Sequence, residues 1–153
     1  MGTEIERKFL VVGEDWKTGR PTLFRQGYLN RDKHRTVRVR VTGDRAMLNV
    51  KGKTRGMTRS EYEYDIPISD ALEMLELCEG PIIEKKRWLT SVGSMAWEVD
   101  EFMGDNAGLI IAEIELDSET QNFEMPNWVG KEVTEDDRYY NSSLSMHPFR
   151  DWT

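Results

Sequence analysis

The sequence predicts a β-dominated α+β fold, in which an antiparallel sheet closes into a barrel or folds as a sandwich. Short segments of alternating apolar and polar residues recur along most of the 153-residue chain. Glycine-containing turns of hairpin length separate these segments, as in barrels and sandwiches. No repeat, low-complexity stretch or linker interrupts the pattern. We therefore expect a single domain over residues 1–153.

Five strands are expected before the first helix, at residues 4–12, 23–29, 36–42, 46–50 and 60–66. Glycines predict the intervening turns, at Gly13, Gly19, Gly43 and residues 52–56. A helix is expected from Pro67 through Cys78. Asp70 and Glu73 have the spacing of a capping box, and Gly80 follows the last turn.

Three further strands are expected, at residues 82–90, 95–102 and 109–117. The tail from Thr120 to Trp152 contains short helical patterns, and residues 134–146 are the best helix candidate. Eight strands with short helices packed outside them, or closing one end, are thus the predicted architecture.

The charge balance argues against several classes of partner. The chain has 21 Lys and Arg residues against 28 Asp and Glu residues, a net charge of −7. This charge disfavours general binding to nucleic acid or to an anionic membrane surface. No apolar run has the length of a membrane span, and the N-terminus lacks a secretory pattern. A cytoplasmic location is therefore expected.

Cysteine and histidine are too few for the usual zinc or disulfide chemistry. Cys78 is the only cysteine, and His34 and His147 are the only histidines. One cysteine cannot form an internal disulfide or a CxxC motif, and two separated histidines do not complete a zinc site. Any metal would have to be held by carboxylates.

Alternation places the charges of each strand on one face and the apolar residues on the other. Most strands carry same-sign pairs two residues apart. The acidic pairs are Glu4/Glu6, Glu61/Glu63, Glu98/Asp100 and Glu113/Glu115. The basic pairs are Arg38/Arg40 and Lys85/Arg87, and the single basic residues Lys8 and Lys51 share this face.

Two interpretations of the charged face remain open at this point. It could be the solvated side of a half-buried sheet, as most charged positions are. However, Asp and Glu are poor strand formers, and like charges so placed repel unless a bound group compensates them. Carboxylates suit hard divalent cations, whereas Lys and Arg clusters suit phosphates. If this face lines a closed barrel, the interior must be a wet tunnel that binds a metal–polyphosphate complex.

Several segments resemble one known superfamily. Glu4-Ile5-Glu6-Arg7-Lys8 is the E-x-E-x-K pattern that opens the CYTH domain, or triphosphate tunnel metalloenzyme, superfamily. Further resemblances follow in the family's order, at residues 26–29, 37–40, 51–52, 61–63, 85–87, 99–102, 109–115 and 133–141. The resemblance spans residue 3 to about residue 144 and is closest to the short bacterial single-domain members.

The resemblance implies a closed eight-stranded antiparallel barrel that forms a tunnel, with a C-terminal closing helix. It implies a metal site with the acids Glu4, Glu6, Glu113 and Glu115, supported by Asp100. It implies a polyphosphate site with Lys8, Arg38, Arg40, Lys51, Lys85, Arg87 and, on the closing helix, Arg138. The catalytic groups are expected among Glu61, Glu63, Tyr28 and Lys85.

The function implied by the resemblance is Mg²⁺- or Mn²⁺-dependent hydrolysis of inorganic tripolyphosphate to pyrophosphate and phosphate. The alternatives within the superfamily are nucleoside triphosphatase, thiamine triphosphatase and class IV adenylate cyclase. A polyphosphate-binding module without catalysis is the alternative of a different class. The expected partner is a small anionic substrate, not nucleic acid or a membrane, and the chain could be a monomer or a homodimer.

Overall fold

A computed structural model describes residues 2–152, whose strands form one antiparallel sheet that closes on itself. The strands are β1 (Thr3–Val11), β2 (Thr22–Asn30), β3 (Arg35–Thr42), β4 (Arg45–Gly52), β5 (Thr58–Ile66), β6 (Glu79–Val92), β7 (Met95–Phe102), β8 (Ile110–Glu115) and β9 (Val129–Glu132). The helices are α1 (Ile68–Leu77) and the single turn α2 (Asn141–Leu144), and three short 3₁₀ turns accompany them. No helix among residues 2–152 is both long enough and apolar enough to cross a lipid bilayer.

The strand order explains how the sheet becomes a barrel. Along the sheet the order is β5-β4-β3-β2-β6-β7-β8-β1, and β1 then pairs with β5 through residues Thr3–Ile5. Eight strands thereby close into the expected antiparallel barrel. β9 pairs with the later part of β1, through Phe9 and Val11, and was not expected. It has only four residues, one of them Gly130, and its partner lies more than a hundred residues away in sequence.

Most residues that line the inside of the barrel are charged, whereas most apolar residues of its strands face outward, so other parts of the chain must cover the outer surface. α1 packs Ala71 and Leu75 against Val39 and Ala46 of β3 and β4. Trp16, from the β1–β2 connection, and Phe123 and Trp128, from the segment before β9, cover β1, β7 and β8. The helix was correctly expected, but Asp70 lies within its first turn and no side chain caps it.

The C-terminal segment closes one end of the barrel with apolar residues. Tyr139 and Leu144 pack with Ile83, Phe102 and Ile111, which lie at one end of β6, β7 and β8. The expected helix over residues 134–146 is much shorter, since only Asn141–Leu144 is α-helical. Polar side chains in this segment bond to nearby backbone instead; for example, Asp136 accepts from the backbone N–H of Arg138.

Candidate active site

A cavity of about 200 Å³ runs inside the barrel, and its walls are almost entirely charged. It brings together most of the site residues expected from the sequence. The acids among them are Glu4, Glu6, Glu61, Glu63, Glu113 and Glu115. The other expected residues are Lys8, Tyr28, Arg38, Arg40, Lys51, Lys85 and Arg87. The charged face of the sheet is therefore the inner face.

Strand register explains why distant sequence positions meet here. Glu6 and Lys8 of β1 lie directly opposite Glu115 and Glu113 of β8. Because side chains alternate along a strand, these opposed residues point to the same side of the sheet. The same register places Arg38 beside Tyr28 of β2. The closed barrel directs all of them inward.

Lysines bridge the acids of β1 to those of the neighbouring strands. The Lys51 Nζ lies 3.0 Å from Oε1 of Glu4 and 3.5 Å from Oε2 of Glu61. The Lys8 ammonium contacts the carboxylates of Glu6 and Glu113. Burial alone would raise the pKa of Glu6, but the Lys8 ammonium outweighs it and the pKa falls to about 2. Glu6 is therefore ionised near neutral pH.

Glu115 lies at the more exposed end of this acidic wall and lacks such a partner among residues 2–152. Partial burial raises its pKa, and the nearby carboxylates of Glu4 and Glu61 raise it further. A hard divalent cation would relieve this repulsion, and carboxylate oxygens are the donors that Mg²⁺ and similar ions prefer. The donor chemistry therefore fits a metal. No three acidic, histidine or cysteine side chains within residues 2–152 are already gathered around a common point, so ligands would have to turn towards a metal.

On β6 and β7 the charges neutralise one another. The Lys85 Nζ donates to Oδ2 of Asp100 at 2.7 Å, and Nε of Arg87 donates to Oδ1 at 2.7 Å. Burial would raise the pKa of Asp100, but the two cations hold it well below its usual range. Burial also lowers the pKa of Lys85 to about 7, despite the attraction of Asp100. We call Lys85, Arg87 and Asp100 the matched network.

The matched network changes the role expected for Asp100. Both of its oxygens are used by Lys85 and Arg87, and the side chain does not line the cavity. This position is that of a counter-ion that holds two cations in place, and it is not that of a metal ligand.

The two cations of β3 that line the cavity, Arg38 and Arg40, have no carboxylate partner among the described residues. Arg40 donates its Nε to Oε1 of Gln26 at 2.9 Å and stacks on Phe24, with its guanidinium carbon 4.6 Å from the ring centre. The buried Nε of Arg38 makes no hydrogen bond within residues 2–152. Burial and the neighbouring guanidinium of Arg38 lower the pKa of Arg40. An anion between these side chains would supply the missing partner.

Arg138 does not lie where the resemblance implied. Its guanidinium is exposed, pairs with Asp136 at 2.8 Å and stacks on Trp152 outside the cavity. The reason is local: Arg138 belongs to a 3₁₀ turn, and its buried neighbour Tyr139 occupies the inward direction. A role in substrate binding is therefore not supported for Arg138.

Five further side chains line the cavity without having been assigned to the site: Arg59, Glu98, Tyr140, Asn141 and Ser142. Two of them follow the alternation. Arg59 precedes Glu61 and Glu63 in the same phase, and beginning the expected strand one residue earlier would have included it. Glu98 was placed on the charged face but given no role. The three residues around α2 come from an irregular segment, where no periodicity shows which side chain points inward.

Comparisons with known proteins agree with this architecture. The CYTH domain family matches residues 2–146. An inorganic triphosphatase from Acetivibrio thermocellus is 51% identical over 154 residues, which cover 99% of each chain. One from Nitrosomonas europaea is 35% identical over 148 residues, covering 94% of this chain and 97% of that protein. The crystal structure of the inorganic triphosphatase NE1496 superposes with a TM-score of 0.68 at 34% identity, over 95% of this chain and 96% of that one. The chain therefore belongs to the CYTH domain family.

Proposed function

We propose that this protein hydrolyses inorganic tripolyphosphate to pyrophosphate and phosphate with the help of a divalent cation, Mg²⁺ or Mn²⁺. The similar proteins from Acetivibrio thermocellus and Nitrosomonas europaea are named inorganic triphosphatases. The cavity suits such a substrate because it is small and lined by both acids and bases. A phosphate chain carries its negative charge along its whole length, so it can contact cations from several strands at once.

The observation that carries the proposal is the unmatched charge of β3. Arg38 is 7% exposed and Arg40 is half-buried. Neither has a carboxylate partner among residues 2–152. Buried cations that repel one another are costly unless an anion binds between them. Guanidinium groups also match phosphate oxygens in geometry, since each can donate two parallel hydrogen bonds. A phosphate chain is therefore the ligand that this part of the cavity favours.

The proposed reaction is attack of water on a terminal phosphorus. The new P–O bond forms as the bond to the bridging oxygen breaks, pyrophosphate leaves, and the proton of the water passes to a carboxylate or to solvent. Glu61 and Glu63 would accept hydrogen bonds from the attacking water. Lys85 and Arg87 would offset the charge that develops on the leaving oxygens, and Tyr28 would donate its hydroxyl to a phosphate oxygen.

The carboxylates of Glu4, Glu6, Glu113 and Glu115 are the proposed metal ligands. A divalent cation held there would neutralise phosphate charge and polarise the reacting group. Without it, seven acids of the cavity wall would face a highly charged anion. Between one turnover and the next, Lys8 and Lys51 would keep the acids in place.

Phosphate release from tripolyphosphate tests the proposal. We expect turnover with Mg²⁺ or Mn²⁺ and loss of turnover in EDTA, restored when the metal is added back in excess. Glu113→Gln should abolish turnover, whereas Glu84→Gln, on the outer face of β6, should leave it unchanged. Full activity in EDTA, or tight binding of tripolyphosphate with no release of phosphate, would contradict a metal-dependent hydrolase. The second result would favour a binding module.

A further inference from the structure

Asn141, the first residue of α2, links the C-terminal segment to two cations of the cavity. Its Oδ1 accepts hydrogen bonds from Nζ of Lys85 at 3.1 Å and from Nε2 of Gln26 at 2.7 Å. The Oε1 of Gln26 in turn accepts from Nε of Arg40 at 2.9 Å. Four side chains thus form a continuous relay, Lys85–Asn141–Gln26–Arg40, which joins β6 to β3 by way of α2 and β2.

The chemistry of the two ends fixes the orientation of both amides. A lysine ammonium and an arginine guanidinium donate hydrogen bonds and cannot accept them. The oxygen of Asn141 must therefore face Lys85, and the oxygen of Gln26 must face Arg40. With both oxygens set, the Gln26 amide nitrogen is the group that meets Asn141. Turning either amide over would place two donors against each other, so the relay has a single arrangement.

Burial makes this arrangement rigid. Gln26 is fully buried and Lys85 is 1% exposed, so bulk water has little access to these two side chains, whereas Asn141 and Arg40 are half-buried at the cavity wall. A buried polar group that loses its hydrogen bond destabilises the arrangement that left it unpaired. Asp100 holds the Lys85 ammonium from one side, and Asn141 supplies the second acceptor that sets its direction. Phe24 supports the face of Arg40 while Gln26 holds its edge.

The relay differs from an ion pair in one respect that matters for an anionic ligand. Amides carry no net charge, so Asn141 and Gln26 orient Lys85 and Arg40 without adding a negative charge beyond that of Asp100. A carboxylate at either amide position would hold the cations as firmly but would repel phosphate. Neutral acceptors can therefore position both cations without adding a charge that would repel a phosphate ligand.

We propose that Asn141 is a positioning residue that sets, through Gln26, the separation of the Lys85 and Arg40 cations along the bound phosphate chain. This inference rests on the function proposed above. The two cations belong to different strands, and each would contact a different part of the same substrate. The C-terminal segment thereby acts on the reaction through a specific hydrogen bond as well as through its apolar packing.

Three variants and a control test the relay: Asn141→Ala, Gln26→Met, the double variant, and Ser143→Ala. Ser143 lies in the same turn of helix but does not line the cavity. We expect each single substitution to lower kcat for tripolyphosphate about tenfold or more, because a misplacement of about 1 Å can cost far more than that. KM should change less than about threefold, since the cations and their charge remain. The control should match the wild type.

The double variant separates a relay from two independent contacts. If Asn141 and Gln26 act as one unit, the double variant should be no more than about twofold slower than the slower single variant. Multiplication of the two losses, or a wild-type kcat in either single variant, would overturn the inference. Gln26→Met preserves the buried volume, so it tests the relay even if Asn141→Ala fails to fold.

Crystal structures of the wild type and of Asn141→Ala give a readout that does not depend on turnover. The distance between Nζ of Lys85 and the guanidinium of Arg40 should change in the variant. A wild type that releases no phosphate while this distance still responds would contradict the proposed function alone. A wild type that turns over, with the distance and kcat unchanged in the variant, would contradict the positioning role alone.

Discussion

The cavity wall has two kinds of charged region, and they differ in whether the protein neutralises its own charges. In the matched network of β6 and β7, Asp100 contacts both Lys85 and Arg87 at 2.7 Å. On β3, Arg38 and Arg40 form no salt bridge with a carboxylate among the described residues, and Arg40 donates only to the neutral Gln26. The first region is complete without a ligand, whereas the second is complete only when an anion binds. Loss of the counter-ion Asp100 should therefore affect stability, whereas loss of a cation of the second region should affect ligand binding.

The largest effect should come from the centre of the matched network. Asp100→Asn leaves two buried cations without their counter-ion, and breaking a buried pair in this way costs about 3–5 kcal/mol of unfolding free energy. Asp65→Asn is the matched control, because Asp65 pairs with Arg45 on the exposed end of neighbouring strands at 2.9 Å. That pair should contribute less than about 1 kcal/mol. Urea unfolding of both variants at pH 7 measures the difference.

The same comparison has a pH dependence with a definite sign. The pKa of Asp100 is lowered in the folded protein, so its contribution is present above the usual aspartate pKa. This contribution is lost as the pH falls through the folded pKa. The stability gap between wild type and Asp100→Asn should therefore narrow on acidification. The prediction would be wrong if the difference in unfolding free energy widened on acidification, or if it were no larger than that of Asp65→Asn. Asp100 would then not be the residue that stabilises the two cations.

The unmatched region should respond in the opposite way. Arg38→Ala should lower kcat/KM for tripolyphosphate, with a loss of about 2–4 kcal/mol of transition-state stabilisation. Its unfolding free energy should stay the same or rise, because the repulsion between Arg38 and Arg40 is relieved. Arg138→Ala, outside the cavity, should change neither quantity by more than about 0.5 kcal/mol. A loss of stability without a loss of kcat/KM in Arg38→Ala would show that Arg38 supports the wall and does not contact substrate.

How much of this contrast is visible in the sequence depends on the regularity of the backbone. Alternation on β1, β3 and β8 correctly placed Glu6, Arg38 and Glu113 on one face, because a strand turns each second side chain the same way. Alternation could not show that both carboxylate oxygens of Asp100 are paired with neighbouring cations, because that pairing depends on cross-strand distances. The positions of Arg138 and Asn141 were not predictable, because irregular turns have no period from which direction can be inferred.

Substrate preference tests whether the unmatched cations alone select the ligand. Tripolyphosphate should exceed ATP by at least about tenfold in kcat/KM, or about 1.4 kcal/mol. Neither Trp16 nor Phe24 offers a free ring face on which a nucleobase could stack. Trp16 is 1% exposed in the outer apolar cluster, and Phe24 is covered by the cations of Arg40, Arg87 and Lys85. Steady-state kinetics at equal free metal concentration measures the ratio, and equal efficiency with ATP would indicate a nucleotide site that these residues do not provide.

The smallest effect should come from the unmatched acid, Glu115, and its sign is opposite to that of Asp100. Burial and the carboxylates of Glu4 and Glu61 raise its pKa above the ordinary value of 4.5, so the folded protein disfavours the charged form. The resulting cost is absent below the ordinary pKa and grows as the pH rises through the folded pKa. Glu115→Gln should therefore stabilise the metal-free protein at pH 7, and the advantage should disappear near pH 4. Because the side chain is largely exposed, the gain should stay below about 1 kcal/mol, or about 2–4 °C in Tm, at low ionic strength.

Glu73→Gln, on the outer surface of α1, serves as the control and should not change the Tm. Adding Mg²⁺ should raise the Tm of the wild type more than that of Glu115→Gln, since a cation removes the same repulsion. A lower Tm for Glu115→Gln at pH 7 would contradict this prediction. It would mean that the lysines already neutralise the acidic wall, as Lys85 and Arg87 neutralise Asp100 in the matched network.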